Sequence, residues 1–237
     1  MTRIVNNCVA LVCLCLFWGQ SLRAADASHS EQIKWGNESV FNEEHNTLGL
    51  FSGVLGGQIV LAGGTSDDYS RWGRNAVCLS ENAGFALYED VLSKPLAYGA
   101  SITLSDGILC IGGRDSSQCY EDVFFVTMQQ GKLNVSEDWP PLPFPLSNAA
   151  GALLDNKVYL FGGRKSVSPS RLSDSFFVLD LSNKSRGWKE LPGYPGCVRE
   201  DAILVVQNNG VSPCLYLLGG QTETEEGLSS CLTDGYV

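Results

Sequence analysis

The chain has 237 residues, 44% of them hydrophobic, and a formal net charge of −10 at pH 7. That acidic balance argues against nucleic acid or an anionic membrane as partner, since both require a basic surface. It favours no particular ligand.

The first residues read as a targeting segment. Arg3 supplies a positive start, Val9 to Trp18 form an apolar run of about ten residues, and Ala25-Asp26-Ala27 offers a small-x-small cleavage site. This predicts a secretory signal over residues 1–27 and a mature chain over 28–237, placed in the periplasm or outside the cell. The run is shorter than the ~20 apolar residues of a spanning helix, so no membrane association is expected once the signal is removed. Of nine cysteines, Cys8, Cys13 and Cys15 leave with the signal. Cys78, Cys110, Cys119, Cys197, Cys214 and Cys231 remain, and in an oxidising compartment they allow 15 pairings among which the sequence does not choose. For Cys110, inside an apolar run, a buried free thiol is equally open.

From Ser28 to Asn46 the chain is polar, with Ile33-Lys34-Trp35 its one strand-like piece. Beyond it, four phrases share one form: Gln58-Ile59-Val60-Leu61-Ala62-Gly63-Gly64, Gly107-Ile108-Leu109-Cys110-Ile111-Gly112-Gly113, Lys157-Val158-Tyr159-Leu160-Phe161-Gly162-Gly163 and Cys214-Leu215-Tyr216-Leu217-Leu218-Gly219-Gly220. Each is a short apolar run ending on two glycines, the mark of a buried strand with a tight exit. Each follows a second apolar run across a short turn, which predicts hairpins pairing 49–54 with 58–62, 97–104 with 107–111, 148–154 with 157–161, and 202–207 with 214–218. A third strand is expected at Asp122 to Val126, Asp174 to Asp180 and Asp234 to Val237. Trp139 and Trp188, each followed by proline, mark a fourth, outer strand. The first unit lacks that tryptophan, with Phe85 or Tyr88 as substitutes, and its outer strands are not assigned. No helix of ordinary length is predicted after the signal.

A repeat near fifty residues with one diglycine per unit is the signature of a kelch-type β-propeller. The predicted fold class is therefore all-β, with about four blade units as part of a larger propeller. Trp35 is read as the strand that closes the ring. Because Val237 falls within a third strand, the sequence reads as truncated in the last blade.

Further details resemble a particular group of kelch proteins. The runs Lys94-Pro95-Leu96-Ala97-Tyr98-Gly99-Ala100-Ser101, Leu191-Pro192-Gly193-Tyr194-Pro195-Gly196 and Thr233-Asp234-Gly235-Tyr236-Val237 are similar to those of the exported N-acetylneuraminate epimerase and cyclically permuted mutarotase family. The resemblance implies a six-bladed propeller, an isomerase that interconverts anomers of a free acidic sugar such as sialic acid by general acid/base catalysis, and no metal or cofactor. It also implies a glutamate, with an arginine six residues later, ahead of a Thr-Asp pair. Against Thr233-Asp234 this register puts Glu226 at the acid, the predicted catalytic proton shuttle, and Leu232 where the family has arginine.

Other cations offer a replacement for that arginine. The loops after the diglycines carry Arg71, Arg74, Arg114, Arg164 and Arg171, and Arg199 precedes an inner strand. Arg114, Arg164 and Arg199 are the predicted substrate-binding residues, since converging guanidinium groups make an anion site. Their bland alternative is pairing with acids of adjacent blades. A copper oxidase propeller or a serine-histidine triad is disfavoured, because the two histidines, His29 and His45, precede the first inner strand. No Cys-x-x-Cys pair supports a zinc site. The rival to an enzyme is a propeller that binds a glycan or protein partner through its loops.

Overall fold

The structure, a computed structural model, describes residues 48–80, 84–224 and 227–237. The predicted signal, Trp35, both histidines and Glu226 lie outside the described residues.

Four antiparallel sheets follow one another along the chain. Blade 1 holds β1 (Phe51–Leu55), β2 (Gln58–Ala62), β3 (Ala76–Ser80) and β4 (Gly84–Tyr88) in that spatial order. Blade 2 repeats the order with β5 (Ala100–Thr103), β6 (Ile108–Ile111), β7 (Val123–Gln129) and β8 (Lys132–Ser136). In blade 3, β9 (Ala150–Leu154) and β10 (Lys157–Phe161) lead into a small ribbon of β11 (Arg164–Ser166) and β12 (Arg171–Leu172). The blade then closes with β13 (Phe176–Asp180) and β14 (Lys189–Leu191). Blade 4 pairs β15 (Ile203–Asn208) with β16 (Pro213–Leu218). A second ribbon follows, β17 (Gln221–Glu223) with β18 (Ser229–Cys231), and then β19 (Gly235–Tyr236) pairs with β16. The first strands stand side by side, β1 against β5, β5 against β9 and β9 against β15, so the blades are arranged in series around their inner strands.

Burial explains the unbroken apolar runs. A strand packed on one face alternates, as β1 does, with Phe51 and Leu55 buried and Ser52 and Val54 half-buried. In β6 every residue is buried. Ile108 and Cys110 face the seam with blade 1, and Leu109 and Ile111 face the seam with blade 3. The strand is covered on both sides and needs no polar alternation. The hydrophobic core is thus a set of seams between blades.

The diglycines make those seams possible. Gly63, Gly112 and Gly162 hold φ of 71°, 63° and 66°. A Cβ on them would sit 2.2, 2.2 and 2.5 Å from the carbonyl oxygens of Leu96, Leu146 and Arg199. The second glycine of each pair donates its N–H to that same carbonyl: Gly64 to Leu96, Gly113 to Leu146 and Gly163 to Arg199, each at 2.8 Å. A side chain at the first position would expel the lead-in of the next blade.

The predicted hairpins are present, with ends that differ by up to three residues. The first unit, whose outer strands the sequence does not mark, is a full four-stranded blade. Its outer strand β4 contains Phe85 and Tyr88, and Tyr88 packs on the blade 1–2 core while donating to Gly131 O at 3.2 Å. Trp139 and Trp188 stand just outside β8 and β14 rather than within them. The Trp139 ring centroid lies 5.2 Å from that of Phe125, and Trp188 Nε1 donates to Pro140 O at 3.0 Å, so the pair bridges blades 2 and 3. One short 3-10 segment, Leu181–Arg186, is the helical element among the described residues; Asp180 caps it by accepting from Ser182 N at 2.9 Å. All six later cysteines are free thiols, with Cys78, Cys110 and Cys119 buried.

Blade 4 has an open outer face. Its Ile203–Leu218 pair is 43% exposed at both residues. The matching pairs Ala100–Ile111 and Ala150–Phe161 are buried by the blade that follows.

Candidate functional site

The residue two positions before the first strand of every blade has a left-handed backbone: Gly49, Tyr98, Asn148 and Asp201, at φ of 65°, 61°, 56° and 53°. The last three each donate their N–H to the carbonyl of the one before. Tyr98 bonds Gly49 at 2.7 Å, Asn148 bonds Tyr98 at 2.7 Å, and Asp201 bonds Asn148 at 3.0 Å. These bonds tie the blades together at one end of the inner strands. Left-handed φ costs a side-chain-bearing residue about 1–2 kcal/mol, and glycine meets the requirement only in blade 1. After glycine, asparagine and aspartate tolerate this backbone best and tyrosine does not, and all three bring polar groups to the strand ends.

The residues that follow the diglycines lie beside this arc. Arg114 and Ala97 exchange backbone bonds at 2.8 and 2.9 Å, as Arg164 and Ser147 do at 2.7 and 2.9 Å. Side chains of both sets border one cleft of 290 Å³, whose walls are Tyr69, Tyr98, Arg114, Asn148, Arg164, Val167, Glu200 and Asp201. Two of the three sequence-predicted arginines thus meet there.

Their states differ. Arg164 is paired: its Nε donates to Glu200 Oε2 at 2.8 Å, its Nη2 bonds Glu200 Oε1, and Glu223 Oε1 lies 3.2 Å from Nη2. The Glu200 hydrogen bonds raise the arginine's proton affinity further. Arg114 has no carboxylate within ion-pair distance among the described residues. Its guanidinium is held by rings, 4.7 Å from the Tyr98 centroid and 5.2 Å from that of Trp72. Its Nε is buried without a hydrogen-bond partner among the described residues, and Nη1 reaches Asp115 O only at 3.5 Å. An unsatisfied buried donor costs about 1–3 kcal/mol, so Arg114 is a cation fixed in place with unmet demand for an acceptor.

Arg199 lies elsewhere. It is fully buried, and Nη1 and Nη2 bond the two carboxylate oxygens of Asp234 at 2.7 and 2.8 Å. Nη1 also bonds Gly219 O at 2.8 Å and Nε bonds the Tyr194 hydroxyl at 2.8 Å, between the Tyr194 and Tyr236 rings. Its donors are taken up within blade 4. The remaining loop arginines do not border the cleft: Arg74 pairs with Asp90, and Arg71 and Arg171 are exposed.

Asp201 opens to solvent at the cleft, while the surrounding blades desolvate it and push its carboxyl above the usual carboxylate value. Desolvation likewise raises the Tyr98 hydroxyl, whose oxygen lies 3.5 Å from that of Tyr69. Residues 98, 148 and 201 were not singled out by motif. Their signal is recurrence at the repeat period, two residues ahead of each inner strand.

Four successive four-stranded or three-stranded sheets, glycine-clasped seams and a cleft at the strand ends define a kelch-type β-propeller. The family model described as the Kelch motif matches residues 145–192, the stretch spanning blade 3. Among curated proteins, the chain resembles N-acetylneuraminate epimerases. That of Vibrio cholerae serotype O1 is 31% identical over 106 residues, 45% of this chain and 25% of the relative. That of Yersinia pestis strain Pestoides F is 30% identical over 103 residues, 43% of this chain and 24% of the relative. A kelch domain-containing protein of Vibrio cholerae serotype O1 is 32% identical over 99 residues, 41% of this chain and 25% of that protein. The match spans about a quarter of the length of these relatives. A solved structure titled "Structure of YjhT" superposes with a TM-score of 0.61 at 14% identity, covering 79% of this chain and 64% of that one; this likeness concerns the fold.

Proposed function

We propose that this protein is an exported, mutarotase-like isomerase that interconverts anomers of an acidic sugar, with N-acetylneuraminate as the first candidate substrate. The observation that carries this reading is Arg114, a guanidinium held against the Tyr98 and Trp72 rings, with an Nε unpartnered and no paired carboxylate among the described residues, at the wall of a polar cleft. Such a group takes a substrate carboxylate through paired charge-assisted hydrogen bonds. Tyr69 and Tyr98 supply the aromatic and hydroxyl surface that a sugar ring needs.

Partial resemblance to proteins named N-acetylneuraminate epimerase supports the substrate class and the isomerase reading. The leader-like start of the sequence supports action outside the cytoplasm. Within this reading Arg114 receives the carboxylate, Arg164 sets the position of Glu200 and Glu223, and Arg199 sets the frame of blade 4. For the proton transfer the family resemblance nominates Glu226, which lies outside the described residues, and the cleft wall offers Asp201. No step in anomer exchange demands a metal or an electron carrier, because the reaction moves one proton and opens and recloses one ring.

The test is exchange spectroscopy by NMR on N-acetylneuraminate, with and without the protein. Faster anomer exchange with protein supports the proposal. Saturable binding with no change in exchange rate favours a glycan-binding propeller instead.

A further inference from the structure

Two acids border the cleft side by side, and their circumstances are opposite. Glu200 is clamped by Arg164. Among the described residues Asp201 has no ion pair, and its carboxylate is oriented by amides: Asn148 Nδ2 donates to Oδ1 at 2.8 Å and Gln221 Nε2 stands 3.4 Å from Oδ2. Its backbone N–H is bonded across the seam to Asn148 O, so main chain and side chain are both fixed to the neighbouring blade. Arg114 and Asp201 border the same 290 Å³ space. A sugar held by its carboxylate on the first is presented to the second.

We propose that Asp201 is a catalytic acid–base of the anomer exchange, taking the proton of the anomeric hydroxyl of a sugar whose carboxylate rests on Arg114. This rests on the function proposed above. In the step, the Asp201 carboxylate accepts the hydroxyl proton and the O–H electron pair becomes the second bond of a carbonyl. The bond from the anomeric carbon to the ring oxygen breaks, and that oxygen keeps the pair and takes a proton from water in the cleft. Rotation about the bond to the new carbonyl carbon exposes its other face. Reclosure runs the same transfers backwards, with no net gain or loss of protons. The raised proton affinity of Asp201 suits a group that must both accept and return a proton. The charged and titratable groups around it are Glu200, which favours its protonated form, Arg164 and Arg114, which favour the carboxylate, and Tyr98.

The equivalent positions in the other blades supply test variants that keep the backbone. Asn148 and Gly49 adopt the same left-handed φ, so Asp201→Asn and Asp201→Gly both suit the site. Anomer exchange of N-acetylneuraminate is measured for the wild type, these two variants and Glu226→Gln, with affinity for the sugar measured in parallel. We expect Asp201→Asn to bind within about threefold of wild type and to lose on the order of 10²-fold in exchange rate. Formate should restore part of the rate to Asp201→Gly, where it fills the place of the lost carboxylate. A wild type that accelerates exchange beside an equally fast Asp201→Asn overturns this inference and leaves the proposed function standing. A wild type that accelerates no exchange overturns both.

Discussion

Arg199 and Asp234 form a two-pronged ion pair, 2.7 and 2.8 Å long, between the lead-in of blade 4 and the start of its third strand. Its place in the repeat is informative. Arg199 occupies the position that Leu96 and Leu146 fill in the blades before, each offering its carbonyl to a diglycine. Where those leucines are buried plugs, arginine needs an acceptor for every donor, and finds Asp234, Gly219 O and Tyr194. The arginine's hydrogen bonds hold Asp234 down to about 2, against an ordinary value of 3.8.

Acid should therefore loosen blade 4. A carboxylate with a lowered folded-state pKa contributes stability above its unfolded value, and that contribution is lost as pH falls through the folded value. The window is about pH 4 to pH 2. Asp234→Asn should lower the thermal midpoint at pH 7 and flatten the acid dependence across that window. A variant with an unchanged acid profile would show that the pair contributes nothing to stability.

The glycine clasp predicts unequal costs for one substitution. Gly112→Ala drives a methyl group to 2.2 Å from Leu146 O at a φ of 63°. It should reduce unfolding free energy by more than the ~1–2 kcal/mol of left-handed strain alone. Gly56→Ala, at a φ of 56° with nothing within 4 Å, should cost only that strain. Denaturant titration compares the two, and equal losses would mean that the clasp plays no part.

Sequence and structure agree where physics is local and repeated. The runs ending at Gly64, Gly113, Gly163 and Gly220 announce inner strands, of which the one before Gly113 is buried on both faces and apolar throughout, and the glycines at 63, 112 and 162 announce a contact that permits no Cβ. The outer strand of blade 1 was hidden, because Tyr88 does the packing that tryptophan does elsewhere, from within the strand rather than beyond it. Arg114 and Arg164 look alike in sequence, each the residue after a diglycine. What separates them is Glu200, supplied by the next blade, and no spacing rule reveals that it reaches Arg164 while nothing comparable reaches Arg114. Tyr98, Asn148 and Asp201 differ in side chain, and beyond their recurrence at the repeat period what unites them is a backbone angle that the structure displays.

Arg114 should matter for binding and not for folding. Replacing a side chain whose buried Nε lacks a partner removes a penalty of about 1–3 kcal/mol, partly offset by lost stacking on Tyr98 and Trp72. Arg114→Gln should melt at or above the wild-type temperature. A large loss of stability would mean that the guanidinium serves the fold.

The two aspartates should respond to pH in opposite senses. Desolvation raises Asp201, so its carboxylate form, the one that accepts a proton, predominates only above the usual carboxylate value of 3.8. The exchange rate should climb with pH through a midpoint above 3.8 and then level. For stability the sign reverses from that of Asp234, since a raised folded-state pKa favours the fold at low pH and loses that contribution as pH rises. A rate profile flat across the carboxylate range would remove Asp201 from the chemistry.

The central claim is that the Arg114 cleft receives the carboxylate of an acidic sugar, and titration calorimetry with N-acetylneuraminate and its methyl ester addresses it most directly. The wild type should bind the acid at least tenfold more tightly than the ester, about the 1.4 kcal/mol or more expected of a charge-assisted contact, and Arg114→Gln should bind both equally weakly. Equal affinity of the wild type for acid and ester, or a preference for the acid that survives Arg114→Gln, would contradict it.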